Sequence, residues 1–123
     1  MRRALRLAIA AAALASCAAA HPALAQYGAI AYDTTNCAWG DSWNYANQAE
    51  ANAKAIAECK HPGCRVVAQI GPHQCGALAA TADCHGWGWF RGPSRDGASL
   101  GAMKECQKYN AGQCTVKSND CDR

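Results

Sequence analysis

The sequence is poor in charge, in aromatic residues and in long apolar stretches. Charged residues make up 17% and aromatic residues 7% of 123 residues, and phenylalanine occurs once. The longest apolar run, residues 7–20, is shorter than the roughly 20 residues that a membrane-spanning helix needs. The sequence contains no C-x2-C pair. These absences argue against a membrane span and against a zinc finger or ribbon.

The first 25 residues are typical of a secretory signal peptide. Three arginines without an acidic residue precede an apolar run over residues 7–15, and Ala23-Leu24-Ala25 forms a small-residue cleavage pattern. Cleavage after Ala25 predicts a mature chain, residues 26–123, that is secreted or periplasmic. As an alternative, Leu14-Ala15-Ser16-Cys17 resembles a bacterial lipobox, which would attach a lipid anchor at Cys17.

Net charge argues against a nucleic-acid partner. The whole sequence has 12 Lys and Arg residues against 9 Asp and Glu residues, but three of the arginines lie in the predicted leader. The mature chain is therefore neutral. Proteins that bind DNA or RNA need an excess of basic residues to displace counterions, so we expect no nucleic-acid partner.

Cysteine usage indicates an oxidising compartment. The sequence has 9 cysteines, of which all but Cys17 lie beyond the predicted leader. An even, dense set of cysteines in a small secreted domain predicts four disulfides. Such bridges leave no spare thiol for catalysis, and we expect neither a metal nor a cofactor.

The mature sequence repeats itself at an offset of about 48 residues. Residues 28–31 (GAIA) match residues 76–79 (GALA), and Trp39-Gly40 matches Trp87-Gly88. Two such units are too few for a solenoid. We therefore predict one domain made of two pseudo-symmetric halves, about residues 26–74 and 75–123, that share a core.

Each half is predicted to contain a strand, a loop, a helix and a second strand. Short apolar or β-branched runs predict the strands. These runs are residues 27–32 and 65–70 in the first half and residues 76–80 and 115–117 in the second. The fold class is therefore α+β, with two helices packed on a short, mostly antiparallel sheet.

Helical spacing places the two helices. Between Ser42 and Lys60, apolar residues recur at the spacing of one helix face. They are Ala46, Ala49, Ala53, Ile56 and Ala57. In the second half we expect Asp96 to cap a helix over residues 97–109, with Leu100, Met103 and Cys106 facing inward.

The repeat also predicts which cysteines pair, out of 105 possible connectivities for eight cysteines. Matching positions suggest one short bridge between each helix end and the following strand, one bridge between the halves, and one at the C-terminal tail. The predicted pairs are Cys59–Cys64, Cys106–Cys114, Cys37–Cys84 and Cys75–Cys121.

These motifs, taken in order, resemble a bacterial family known as domain of unknown function 4189. The resemblance rests on residues 27–32 (YGAIAY), Trp39-Gly40, the alanine-rich helix ending in Cys59, the strand after Cys64, and residues 75–79 (CGALA). It implies a small secreted α+β domain, and it supplies no catalytic residues. Cys37 and Cys84 depart from the common pattern of the family.

Two kinds of chemistry are weakly indicated by the histidines. His61, His73 and His85 each lie near a cysteine, but their spacing matches no zinc motif, and disulfides would consume the thiols. A hydrolase site would need His73 or His85 with Asp83 and a serine, Ser42 or Ser94. Such residues are common in loops, so a small hydrolase with an unrecognised His/Asp site is kept only as an alternative.

The aromatic residues carry the main functional prediction. Tryptophans cluster in the two regions that the repeat makes equivalent, and rigid aromatic rings bind sugars or protein anchors well. The candidate binding residues are Trp43, Trp87, Trp89, Phe90 and Arg91. We predict a non-enzymatic binding module for a protein or a cell-envelope glycan, with an inhibitor or effector role included. A structural envelope protein is a further alternative.

Overall fold

A computed structural model of the protein describes residues 25–123. Residues 1–24 of the predicted signal peptide, Cys17 among them, lie outside this range. The chain is α+β, as predicted, with two helices and six strands in the described part. In order, they are β1 (Tyr27–Tyr32), β2 (Trp39–Tyr45), α1 (Gln48–Cys59), β3 (Arg65–Ile70), β4 (Cys75–Ala80), β5 (Trp87–Gly92), α2 (Arg95–Gln107) and β6 (Thr115–Cys121).

The two Trp-Gly regions, predicted as loops, are strands. β2 pairs antiparallel with β1, placing Trp39 opposite Tyr32, and β5 pairs with β4, placing Trp87 opposite Ala80. Glycine has a low strand propensity, so neither region was predicted to be a strand. Alternating tryptophans, however, suit a pleated surface. Both halves therefore run strand, strand, helix, strand.

The strands form two antiparallel sheets of three strands each, ordered β2-β1-β3 and β5-β4-β6. The sheets pack face to face, since Ile30 and Tyr32 of β1 share a buried cluster with Leu78 and Ala80 of β4. The opposite face of β1 packs on α1, and that of β4 packs on α2. The molecule is thus layered helix, sheet, sheet, helix.

Side-chain size alternates with the strand period. On β1, Ala29 and Ala31 face α1, whereas Ile30 and Tyr32 face the other sheet. On β2 the contact with α1 requires glycine, because a Cβ at Gly40 would overlap the backbone of Ala55 and Cys59. Small residues therefore let the helices lie close, and the larger side chains collect between the sheets.

The helix faces differ in part from those predicted, although in α2 Cys106 is buried and Met103 half-buried, as expected. In α2, Leu100 is 63% exposed, and Ile56 in α1 is 42% exposed. The inward residues are instead alanines and a cysteine at the same spacing, namely Ala51, Ala55 and Cys59 in α1 and Ala98, Ala102 and Cys106 in α2. Close packing on alanine and glycine strands leaves no room for leucine.

The N-cap of α2 is Ser94 rather than Asp96, because the Ser94 side chain accepts a hydrogen bond from the Gly97 N–H.

Four disulfides join the eight cysteines in the same pairs that the repeat indicates. Two of them, Cys59–Cys64 and Cys106–Cys114, close short loops after α1 and α2. Cys37–Cys84 links the halves, and Cys75–Cys121 links β4 to β6. Four disulfides in a domain this small fit an extracytoplasmic location. Within residues 25–123 there is no helix with the length and apolarity to cross a membrane.

Candidate functional site

The candidate site is built on β5, an edge strand whose side chains alternate between two faces. Trp87, Trp89 and Arg91 share one face, and both tryptophans pack at the rim of the buried cluster between the sheets. Arg91 reaches across to β3, where its Nη1 donates a hydrogen bond to the Gln69 carbonyl oxygen over 3.1 Å. The strand period therefore aligns two aromatic rings and one cation along β5.

Two adjoining cavities separate this row from β3, and we call them together the β3–β5 cleft. One cavity, of about 310 Å³, lies at the Trp87 end, and the other, of about 330 Å³, lies beside Trp89 and Arg91. Val66 and Val67 line both cavities. The cleft therefore has an aromatic wall on β5 and an aliphatic wall on β3.

The cavity at the Trp87 end combines aromatic surface with hydroxyl groups and a cation. Arg65, Thr34 and Thr35 line it and are exposed at its mouth, and Asp33 lies behind them. Asp33 Oδ1 accepts hydrogen bonds from the Thr35 hydroxyl (2.6 Å) and the Thr35 N–H (2.9 Å), which hold the Asp33 pKa below its usual range. The ionised Asp33 thus fixes the turn that presents the two threonine hydroxyls.

Tyr32 closes the base of the same cavity. Its ring lies 5.5 Å from that of Trp87, tilted by 41°. Tyr32 is 2% exposed, and its hydroxyl has no hydrogen-bond partner within the described part of the chain. Burial, with smaller contributions from Asp83 and Asp33, raises the Tyr32 pKa, so the phenol stays protonated at neutral pH.

A third cavity, of about 480 Å³, follows the outer edge of β5, and we call it the β5 groove. All five residues from Trp87 to Arg91 line it, together with Glu105 and Tyr109 from the C-terminal part of α2 and the turn after it. Phe90 points to the α2 side, where its ring lies over Gly101, and it remains 43% exposed. The groove thus gives access to both faces of the strand and to its free backbone edge.

Four of the five predicted binding residues come together at β5, and Trp43 does not. Trp87, Trp89 and Arg91 line the cleft, while Phe90 lines the β5 groove. Trp43 lies on β2 against Gly28 and Gly76, and its indole nitrogen is buried. The strand order explains the separation, because β2 and β5 are edge strands of different sheets.

Sequence reasoning missed the partners of these aromatics. Tyr32, Arg65, Val66 and Val67 complete the cleft, and Glu105 and Tyr109 complete the β5 groove. Only Tyr32 carried a usable signal, since the alternation of β1 places it on the same face as Ile30. The other partners depend on how the two sheets pack, which local patterns do not encode.

The residues of the hydrolase alternative are dispersed. His85 Nδ1 lies 3.8 Å from Asp83 Oδ2 at the exposed end of β4, whereas His73 lies in the turn before β4, at its opposite end. Both candidate serines are used elsewhere, since Ser42 donates to the Ala51 carbonyl oxygen and Ser94 caps α2. Residues 25–123 contain no group of three or more His, Cys, Asp or Glu residues placed to hold a metal ion.

Comparison with known proteins confirms the predicted family resemblance. The family model described as Domain of unknown function (DUF4189) matches residues 27–121. Three curated proteins are similar to part of the chain: Mb1300c of Mycobacterium bovis, and MT1307 and Rv1269c of Mycobacterium tuberculosis. Each is 44% identical over 54 residues, which is 44% of this chain and 41% of the relative. The match thus spans less than half of these relatives' length. No solved structure matches the chain significantly.

Proposed function

We propose that this chain, which belongs to the DUF4189 family, is a secreted, non-enzymatic module that binds an acidic cell-envelope glycan in the β3–β5 cleft. The observation that carries the proposal is the row of Trp87, Trp89 and Arg91 along one wall of two adjoining cavities. Thr34 and Thr35 line the same cavity as Trp87. Aromatic faces next to a few convergent polar groups are the usual composition of a ligand site.

The chemistry of the cleft suits a sugar better than an apolar ligand. Indole rings bury the C–H face of a sugar ring, and the Thr34 and Thr35 hydroxyls match its hydroxyl groups. Arg65 and Arg91 are exposed cations at the two ends, and neither forms an ion pair within the described residues. Two such guanidinium groups favour a glycan that carries carboxylates.

Export is part of the same proposal. The leader over residues 1–25, with cleavage after Ala25, would deliver the domain to an oxidising compartment where its disulfides form. Lipid attachment at Cys17 would place it at the envelope instead. We also infer that the halves arose by duplication, because they share the order of elements and the matched motifs.

Titration of tryptophan fluorescence and calorimetry with soluble peptidoglycan fragments tests the proposal, with neutral cello-oligosaccharides for comparison. We expect saturable binding of the acidic fragments, and Trp87→Ala to weaken it about tenfold or more. Trp39→Ala is the matched control, because Trp39 is the corresponding tryptophan of β2 and is 38% exposed. Equal affinities for Trp87→Ala and the unaltered protein would overturn the proposed site.

The same titration separates the alternatives. Mass spectrometry of the fragments after incubation would detect cleavage, which would support the hydrolase alternative. No binding to any fragment would instead favour a structural envelope role or a protein partner.

A further inference from the structure

The outer backbone edge of β5 is a regular row of unused hydrogen-bonding groups. Among the strands of residues 25–123, β5 pairs only with β4, and the Thr81 N–H donates to the Gly86 carbonyl oxygen at the start of that ladder. Antiparallel pairs alternate between bonded and non-bonded, so the backbone groups of Trp87, Trp89 and Arg91 point away from β4. In the part of the chain that the structure describes, nothing bonds to them.

The other three edge strands carry features that discourage strand pairing. Register shifts interrupt the ladders β1–β2, β1–β3 and β4–β6, whereas β4–β5 runs through six residue pairs without one. β2 also turns the carboxylate of Asp41 inward to Ser118, and Arg95 donates to a carbonyl oxygen of β6. Bulges and inward charges are the usual protection of sheet edges. β5 is therefore the edge that remains open to pairing.

We propose that β5 pairs antiparallel with β5 of a second copy of this chain, about a two-fold axis at Trp89. This inference is separate from the glycan proposal. The pairing would bond Trp89 to its own copy and Trp87 to the partner's Arg91, and it would join the two three-stranded sheets into a continuous one.

The side chains of β5 are complementary to themselves in this register. On one face, each Trp87 lies opposite the partner's Arg91, where an indole and a guanidinium attract each other. On the other face, the exposed Phe90 lies opposite the partner's Gly88, which has no side chain to block it. The neutral charge predicted for the mature chain adds no long-range repulsion between copies. A register centred on Trp87 would lose both matches, and one centred on Arg91 would lose the Trp87–Arg91 match while placing Phe90 opposite Gly92.

Sedimentation and light scattering over a range of protein concentrations provide the first test. We expect the mass to rise from one chain to two, and Trp89→Lys to hold the protein at one chain, since the two lysines would face each other across the axis. Asp41→Lys is the matched control on β2 and should still dimerise. A single-chain mass at all concentrations, or a dimer that survives Trp89→Lys, would overturn the proposal.

Cysteine trapping tests the register independently. Residues in a hydrogen-bonded antiparallel pair have Cα atoms about 5.5 Å apart, within disulfide range. Under mild oxidation, Trp89→Cys should therefore give a covalent dimer linked through the introduced cysteines. Arg91→Cys should not, because the axis separates the two copies of residue 91 by several residues. Linkage through Arg91→Cys and not through Trp89→Cys would reject this register. Titration of the trapped dimer with glycan then measures binding in the β3–β5 cleft separately from dimer formation.

Discussion

The two halves of the molecule keep the same scaffold and differ where large side chains meet between the sheets. Gly40 in β2 and Gly88 in β5 make the same close contact with α1 and α2. At the corresponding positions Asp41 and Trp89, however, the chemistry diverges. Asp41 accepts a hydrogen bond of 2.7 Å from Ser118, whereas Trp89 lines a cavity beside β3. Small residues thus maintain the shared fold, and the inter-sheet face is free to become a site in one half only.

The bridge between the halves gives the largest expected effect. Cys37 and Cys84 are 47 residues apart, whereas Cys59 and Cys64 are 5 apart. A longer closed loop restricts the unfolded chain more, so Cys37→Ala/Cys84→Ala should lower the free energy of unfolding by about 4 kcal/mol and Cys59→Ala/Cys64→Ala by about 2 kcal/mol. Denaturant unfolding without reductant measures both. Equal losses of unfolding free energy in the two double variants would contradict the larger stabilising effect expected of the bridge between the halves.

Asp122 ties the tail of the second half to the first, and nothing in the first half corresponds to it. Asp122 is 5% exposed, and its Oδ1 accepts a hydrogen bond from the Asn44 N–H. Burial, opposed by that hydrogen bond and reinforced by Asp120, raises the Asp122 pKa from 3.8 to about 6. The folded state therefore binds this proton more tightly than the unfolded chain does.

The contribution of Asp122 to stability should consequently fall as the pH rises from about 4 to about 6, by up to about 3 kcal/mol at 1.36 kcal/mol per pKa unit. Asp122→Asn keeps the acceptor for Asn44 and removes the charge, so it should flatten this profile and raise stability at pH values above about 6. Asp96→Asn is the control, because Asp96 is an exposed carboxylate in the first turn of α2 and is not among the causes of the raised Asp122 pKa. An unchanged pH profile for Asp122→Asn would show that the carboxyl is not the cause.

The paired glycines test whether the scaffold really is the same in both halves. A Cβ at Gly40 would meet the backbone of α1, and one at Gly88 would meet Glu105 and the backbone of α2. Overpacking typically costs about 1–3 kcal/mol, so Gly40→Ala and Gly88→Ala should each destabilise by about 2 kcal/mol. Gly92→Ala is the control, since an added Cβ there meets only ordinary van der Waals contact. A large difference between Gly40→Ala and Gly88→Ala in thermal unfolding would contradict the shared packing.

The α+β class, the family and the cysteine pairs follow from the sequence because they depend on counts and on matched positions along the chain. An even number of cysteines and an offset of about 48 residues constrain the pairing strongly. The signal peptide stays a prediction. β2 and β5 were missed because Gly40 and Gly88, which weaken strand propensity, are required by close helix packing. That requirement becomes visible only when the helices are in place.

For a similar reason, only part of the β3–β5 cleft could be predicted from the sequence. Trp87, Trp89 and Arg91 share a face by strand period, so the sequence alone points to them. Arg65 and Tyr32 join them through contacts between strands distant in sequence. Without the order of strands in each sheet, no local pattern brings β3 beside β5.

The smallest expected effect concerns the outer faces of the helices. The apolar pattern of α2 predicts that Leu100 is buried, yet it is 63% exposed, and alanines take the inner face in both halves. Leu100→Gln should therefore change stability by less than about 0.5 kcal/mol, as surface substitutions usually do. Ala102→Leu should cost about 1–3 kcal/mol, because it adds volume where α2 lies on β4 and β5. Chemical denaturation of the two variants under the same conditions shows whether the Leu100 face or the Ala102 face of α2 is buried. A large loss of stability for Leu100→Gln would mean that the face containing Leu100 is the buried face of α2, as the apolar periodicity predicts.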